Sequence, residues 1–148
     1  MRRRPRRCRP TAGDLLDTSA LARILRGDAE QYGWDQAAAA GVIATCPITE
    51  LEFFPGVRSA ADRTQGIEDL RLLFSWVAVD DRAYDRAWRV QEILTQRGQH
   101  RSAGAVGLVV AATAELQGLT LLHRDSDFDC VAAVTGQALQ WYGPEAGK

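Results

Sequence analysis

The stretch Gly118-Leu119-Thr120-Leu121-Leu122-His123-Arg124-Asp125-Ser126-Asp127-Phe128-Asp129 decides how the chain is read. A glycine stops a helix. A short apolar run follows, then a polar turn with three aspartates. The run Gly118 to Leu122 reads as a buried strand, and Asp125 to Asp129 as the turn beyond its carboxyl end. The same plan recurs earlier. Gly13-Asp14-Leu15-Leu16-Asp17 is a short strand that closes on a carboxylate, with Thr18 or Ser19 able to cap the helix from Ala20 to Gly27. Val42 to Cys46 is a third strand, and Pro47 opens the helix that carries Thr49, Glu50 and Leu51.

Helices separate these strands. The spacing predicts a short Ala-rich helix from Asp35 to a stop at Gly41, and a charged amphipathic helix from Ala60 to Phe74. Trp76 to Val79 is read as a further buried strand. Asp81 to Arg97 is helical, with Tyr84, Ala87, Trp88 and Leu94 as its apolar residues. Gly98 to Ser102 is a loop. Ala105 to Leu116 is a buried helix, and Ala138 to Trp141 a last strand. Alternating strands and helices predict an α/β fold: a three-layer α/β/α domain with a mostly parallel sheet of four to five strands.

Size and composition agree with one globular domain over 14–148. The 148 residues are 46% hydrophobic and 25% charged, close to the average of folded domains. The longest apolar stretch, Ala103 to Ala112, is too short to span a bilayer and holds Gly104 and Gly107, so no membrane partner is expected. Cys8, Cys46 and Cys130 are odd in number and lie far apart. That argues against a disulfide framework and a zinc cage, and for a reduced, cytoplasmic setting. Six of the first nine residues are arginine, followed by Thr11-Ala12-Gly13-Asp14 rather than an apolar run, so a secretion signal is not expected. Residues 1–13 are read as a basic disordered arm, with attraction of phosphates as its alternative role.

The acids carry the chemistry. In an open parallel sheet, sites form beyond the carboxyl ends of the strands. Asp17, Glu50, and Asp125 with Asp127 and Asp129 all stand at or just past such ends. Clustered carboxylates repel one another unless a cation neutralises them. Oxygen donors select a hard ion, Mg²⁺ or Mn²⁺. Such an ion suits attack of water on a phosphodiester. Taken singly, Asp17 reads as a helix cap, Glu50 as a solvated first-turn acid, and Asp125 and Asp127 as turn formers. Arg101 and Arg124 flank the acidic segments as candidate phosphate contacts. His123 is a hydrogen-bonded structural residue before it is a catalytic one, and His100 a loop residue. Among the tryptophans Trp34 is expected to be the most exposed.

These residues resemble the PIN-domain family, and within it the VapC toxins of bacterial toxin–antitoxin pairs. Leu15 to Leu21 is similar to the family's opening motif, and Thr49-Glu50-Leu51 with Gly56 to its second. Ala111 to Ala114 with Gly118 to Leu121 is similar to the third and fourth segments, and His123 to Asp129 to the closing acidic motif. The resemblance spans Leu15 to Trp141. It implies a Mg²⁺- or Mn²⁺-dependent endoribonuclease that leaves a 5′-phosphate and a 3′-hydroxyl. Implied substrates are structured RNAs such as transfer RNA or ribosomal RNA loops. A cognate VapB-type antitoxin and a homodimer are the implied partners. By motif position Asp17, Glu50 and Asp125 would hold metal, with Asp127 as second ligand or water positioner. The face formed by Leu21, Ile24, Leu25, Phe53 and Phe54 is the candidate groove for an antitoxin helix.

One position departs from the pattern. Leu108-Val109-Val110-Ala111-Ala112-Thr113-Ala114 should follow an aspartate, and Gly107 stands there instead. Two readings stand: an inactivating change in a nuclease, or a weak or catalytically dead PIN-like module that binds antitoxin or RNA. A nucleotide hydrolase is the remaining rival, but the chain has neither G-x-x-x-x-G-K nor G-x-G-x-x-G.

Overall fold

The computed structural model describes residues 13–144; all of the basic arm but Gly13, Cys8 included, lies outside the described residues. Five strands form one parallel sheet in the order β3-β2-β1-β4-β5. They are β1 (Asp14–Leu16), β2 (Ile43–Thr45), β3 (Ser75–Trp76), β4 (Thr120–His123) and β5 (Leu139–Trp141). The helices are α1 (Thr18–Arg23), α2 (Asp35–Ala39), α3 (Pro47–Phe53), α4 (Ala60–Leu73), α5 (Asp81–Gln96), α6 (Ala105–Gln117) and α7 (Phe128–Thr135).

Strand β1 is central and fixes both halves of the sheet. Asp14 is in register with Ile43 of β2, while Leu15 and Leu16 face Leu121 and Leu122 of β4. Successive side chains on a strand point to opposite faces. Leu15 therefore joins the core under α5, α6 and α7, and Leu16 joins the core under α1, α2 and α4. Both leucines are fully buried. The chain can enter β1 because residue 13 is glycine. A Cβ there would stand 2.6 Å from the carbonyl oxygen of Val42, while the Gly13 carbonyl accepts from Thr120 N at 3.0 Å.

The three-layer expectation holds, and three local readings are corrected. Trp76 to Val79 is not a buried strand. Only Ser75 and Trp76 pair with β2, Val77 adds one hydrogen bond to Thr45, and Trp76 stays 46% exposed because β3 is a sheet edge. The polar turn after β4 is shorter than expected, since Phe128 already opens α7, which buries Phe128 and Val131 one turn apart. Trp34 is not the most exposed tryptophan. Its ring stacks on Tyr142 at 6.1 Å, and Trp88 on α5 is 75% exposed instead. No described helix is long and apolar enough to cross a membrane.

Candidate active site

From β1 the chain runs outward through β2 to β3. It then returns to the other side of β1 for β4 and β5. The switch point lies between β1 and β4, where a crevice opens beyond the carboxyl ends of the strands. Asp17 and Asp125 follow these two strands directly. Asp17 N is held by the Leu122 carbonyl at 3.0 Å, which locks the two strand ends together.

A cleft of about 310 Å³ opens at this point. Asp17, Ser19, Glu52, Gly107, Asp125 and Asp127 are among the residues that line it. Asp17 is buried and also caps α1, the role it has when read singly, in place of Thr18 or Ser19. Its Oδ2 accepts from Ser19 N at 3.0 Å and Ser19 Oγ at 2.5 Å. Asp125 Oδ1 accepts from Asp127 N at 3.0 Å, which shapes the turn into α7. Both acids thus do the structural work the sequence suggested, and each keeps a second carboxylate oxygen.

Glu50 is placed differently from the expectation. It is buried, and its carboxylate is engaged away from the cleft. Arg71 Nη1 and Nη2 of α4 donate to Oε1 and Oε2 at 2.5 and 3.2 Å, and Thr45 Oγ1 donates to Oε1 at 3.0 Å. Glu52 lines the cleft instead. The physical reason is helical rotation. Two residues span about 200° at 3.6 residues per turn, so Glu50 and Glu52 leave α3 on opposite sides. The neighbouring Thr49 fixes the phase, since its hydroxyl donates to the Leu16 carbonyl at 3.3 Å. The second glutamate of Thr49-Glu50-Leu51-Glu52 was legible as an alternative by this rotation alone.

Gly107 sits in the first turn of α6, inside the cleft. A Cβ there would meet only the Phe128 ring, at 3.4 and 3.5 Å, and the backbone is helical. Nothing local requires glycine. His123 is 3% exposed, and its Nδ1 lies 3.0 Å from the Asp125 carbonyl oxygen and 3.3 Å from Asp125 N. Its ring packs edge-on against Phe128 and Trp141. Burial pushes the imidazole below its ordinary pKa, against the opposing pull of the Asp125 carbonyl and the nearby carboxylates. His123 is a brace for the acidic turn.

Arg101 is exposed in the loop before α6, two residues ahead of the cleft-lining Ala103. Arg124 N donates to Ser19 Oγ at 2.9 Å, so its backbone borders the cleft. His100 is an exposed loop residue. The proposed groove face is largely closed. Leu21, Ile24 and Phe54 are core residues, because they fill the space between the sheet and α4, and only Leu25 and Phe53 keep part of their surface.

Among the described residues no three His, Cys, Asp or Glu side chains converge on one point tightly enough to cage an ion. The donors are all hard oxygens, and Gly107 supplies none. This set fits a magnesium-like ion held by one or two carboxylates with water completing the shell, and does not fit zinc.

The PIN domain family model matches residues 15–134. The chain is 39% identical over 128 residues to Ribonuclease VapC21 of Mycobacterium tuberculosis, covering 86% of this chain and 91% of the relative. It is 38% identical over 124 residues to Ribonuclease VapC2 of the same species, covering 83% and 87%. The fold superposes with a TM-score of 0.72 on a chain of VapBC2 from Rickettsia felis bound to a DNA fragment from their promoter. That match is at 14% identity and covers 88% of this chain and 98% of the other. A chain of VapBC-5 from Mycobacterium tuberculosis matches at 0.56 and 25% identity, covering 91% and 100%. With this motif order, cleft and coverage, the chain belongs to the PIN-domain family, within the group that holds the VapC proteins.

Proposed function

We propose that this protein is the toxin ribonuclease of a VapBC-type toxin–antitoxin pair, acting on RNA at the cleft between β1 and β4. One observation carries the reading: Asp17, Glu52, Asp125 and Asp127, distant in sequence, line a single cleft at the switch point of the sheet. Asp17, Glu52 and Asp125 would hold a Mg²⁺ or Mn²⁺ ion, and Asp127 would orient water. The chemistry such an ion supplies when bound is activation of water and neutralisation of phosphate charge. Glu50 leaves this set, because Arg71 and Thr45 already engage its carboxylate. Its role is to fix α3 against α4 and β2, so that Glu52 faces the cleft. Arg101 and Arg124 are the candidate phosphate contacts.

Gly107 lowers the charge the cleft presents to a cation. Because metal affinity follows the number of ligand charges, this chain is a weaker nuclease than the same fold with an acid there. A VapB-type antitoxin is the partner this reading implies, with Leu25 and Phe53 as the part of the apolar face still open to it. The homodimer rests on family resemblance. The second reading, a catalytically silent module that binds antitoxin or RNA, is favoured by Gly107 and by the lack of a tight acidic triplet among the described residues.

The deciding experiment is RNA cleavage by the purified chain across a Mn²⁺ titration, beside Gly107→Asp, Glu52→Gln and Glu50→Gln. The ribonuclease reading expects Gly107→Asp to cut fastest and Glu52→Gln, on either background, to be silent. A silent Gly107→Asp chain, on RNAs that a control nuclease cuts, supports the binding module.

A further inference from the structure

A second pocket of about 440 Å³ lies beside the acidic cleft, at the carboxyl end of the edge strand β5. Gln31, Tyr32 and Trp34 line one side, and Gln140, Trp141 and Gly143 the other. Its volume is within the range of small-ligand sites. Tyr32 and Trp34 are only half-buried, yet both rings are fixed. Tyr32 meets Tyr142 edge-on at 5.6 Å, and Trp34 stacks on the same ring at 6.1 Å. Tyr142 is fully buried and its hydroxyl donates to Asp28 at 2.5 Å, so the platform is anchored in the core. Gln31 and Gln140 are exposed amides; Gln140 Nε2 donates one hydrogen to the Trp141 carbonyl at 3.1 Å, which leaves its Oε1 and second hydrogen for the edge of a planar ring.

Arg124 joins the pocket to the cleft. Its backbone N holds Ser19 Oγ, which in turn holds Asp17, and its neighbour is Asp125. Its guanidinium turns the other way, toward the pocket. Nη1 is buried and has no hydrogen-bond partner, and it lies under Gly143, where a Cβ would stand 2.8 Å away. Gly143, at φ +92°, makes room for the cation as no side chain would. A cation, a fixed aromatic platform and two amides next to the acids form the combination that single-stranded nucleic acid selects.

We propose that this pocket is a subsite for one unpaired RNA base, a nucleotide or two from the scissile phosphate, with Arg124 holding the phosphate between base and cleft. The inference rests on the ribonuclease reading and adds a determinant of substrate choice to it. The base stacks on Trp34 or Tyr32, and Gln31 and Gln140 read its edge. Arg124, half-buried beneath Gly143, supplies the positive charge that a phosphate between pocket and cleft meets. Cleavage is therefore confined to RNA whose bases can splay out near the cut, as in loops.

The test is fluorescence anisotropy with 5′-fluorescein heptaribonucleotides of each base, in Ca²⁺, using the full chain and its Trp34→Leu, Trp34→Phe and Gln140→Ala variants. Each oligonucleotide is also made with one abasic residue at successive positions. Trp34→Leu is expected to weaken binding roughly 5- to 100-fold, the usual weight of one stacked base, and Trp34→Phe to restore most of it. One abasic position should cost the parent a similar factor and cost Trp34→Leu nothing further. Gln140→Ala, at an exposed site, should change the base preference, and decides the matter if Trp34→Leu does not fold. Unchanged affinity and preference in these variants would overturn the subsite and leave the ribonuclease reading standing. No binding of any oligonucleotide to the parent would overturn both.

Discussion

Arg71 grips both carboxylate oxygens of Glu50, at 2.5 and 3.2 Å, and so ties α4 to α3 away from the cleft. The pair leaves Glu52, two residues on, as the acid that faces the crevice. Two glutamates separated by one residue therefore have separable roles. Glu50→Gln should cost stability, roughly 2 kcal/mol for a charged hydrogen bond with part of its surface in water, and change Mn²⁺ affinity little. Glu52→Gln should do the reverse. Urea denaturation and calorimetric Mn²⁺ titration on both variants measure the two effects.

Gly107 offers a second separation. Its Cβ position is open apart from ordinary contact with Phe128, so side chains fit. Gly107→Ala should stabilise α6 by roughly 0.5–1 kcal/mol without altering metal binding. Gly107→Asp should raise Mn²⁺ affinity at least tenfold, and millimolar Mn²⁺ should then raise its melting temperature more than that of the parent. Thermal melts with and without Mn²⁺ check this, and an equal Mn²⁺ response in the Ala and Asp variants would count against metal binding at this position.

Gly13 is the opposite case. A methyl group there would press on the Val42 carbonyl at 2.6 Å, inside the central pairing of β1 and β2. Gly13→Ala should destabilise the fold by about 1–3 kcal/mol. Gly56→Ala, where nothing lies within 4 Å, should be close to neutral. Paired denaturation curves give the comparison directly.

Tyr142 makes stability depend on alkaline pH. Burial, and its hydrogen bond to Asp28, raise its pKa well above the ordinary tyrosine value of 10.0. The folded state favours the neutral form more strongly than the unfolded chain does. Below pH 10 both states hold the proton and the contribution is intact. Above it the unfolded chain loses the proton first, so stability falls as pH rises. Tyr142→Phe should be less stable at pH 7 by about 1 kcal/mol and lose less stability between pH 9.5 and 11. Stability measured against pH for both chains tests the sign.

Much of the architecture was legible because each strand declares itself locally. Leu15-Leu16 and Leu121-Leu122 are apolar, short and bounded by turn signals, and Asp17 and Asp125 are adjacent to them along the chain. Helix α7 was hidden because its eight residues are mostly small and apolar, a pattern that a strand or loop shares. Strand β3 was overread for a related reason. Trp76-Val77-Ala78-Val79 is apolar enough to be a core strand, but it runs along a sheet edge, where only one side offers hydrogen bonds.

The sequence by itself determined the alternation of strands and helices, the acids that follow β1 and β4, and the missing acid at 107. These depend on residue type and near-neighbour spacing. Tertiary structure alone decided which glutamate faces the cleft, that Leu21, Ile24 and Phe54 are core, and that an aromatic pocket stands beside the acids. Each of these depends on partners far along the chain: Arg71 for Glu50, the sheet and α4 for the apolar face, Tyr142 for Trp34. Such contacts are set by how the layers pack, and no local pattern of residues encodes them.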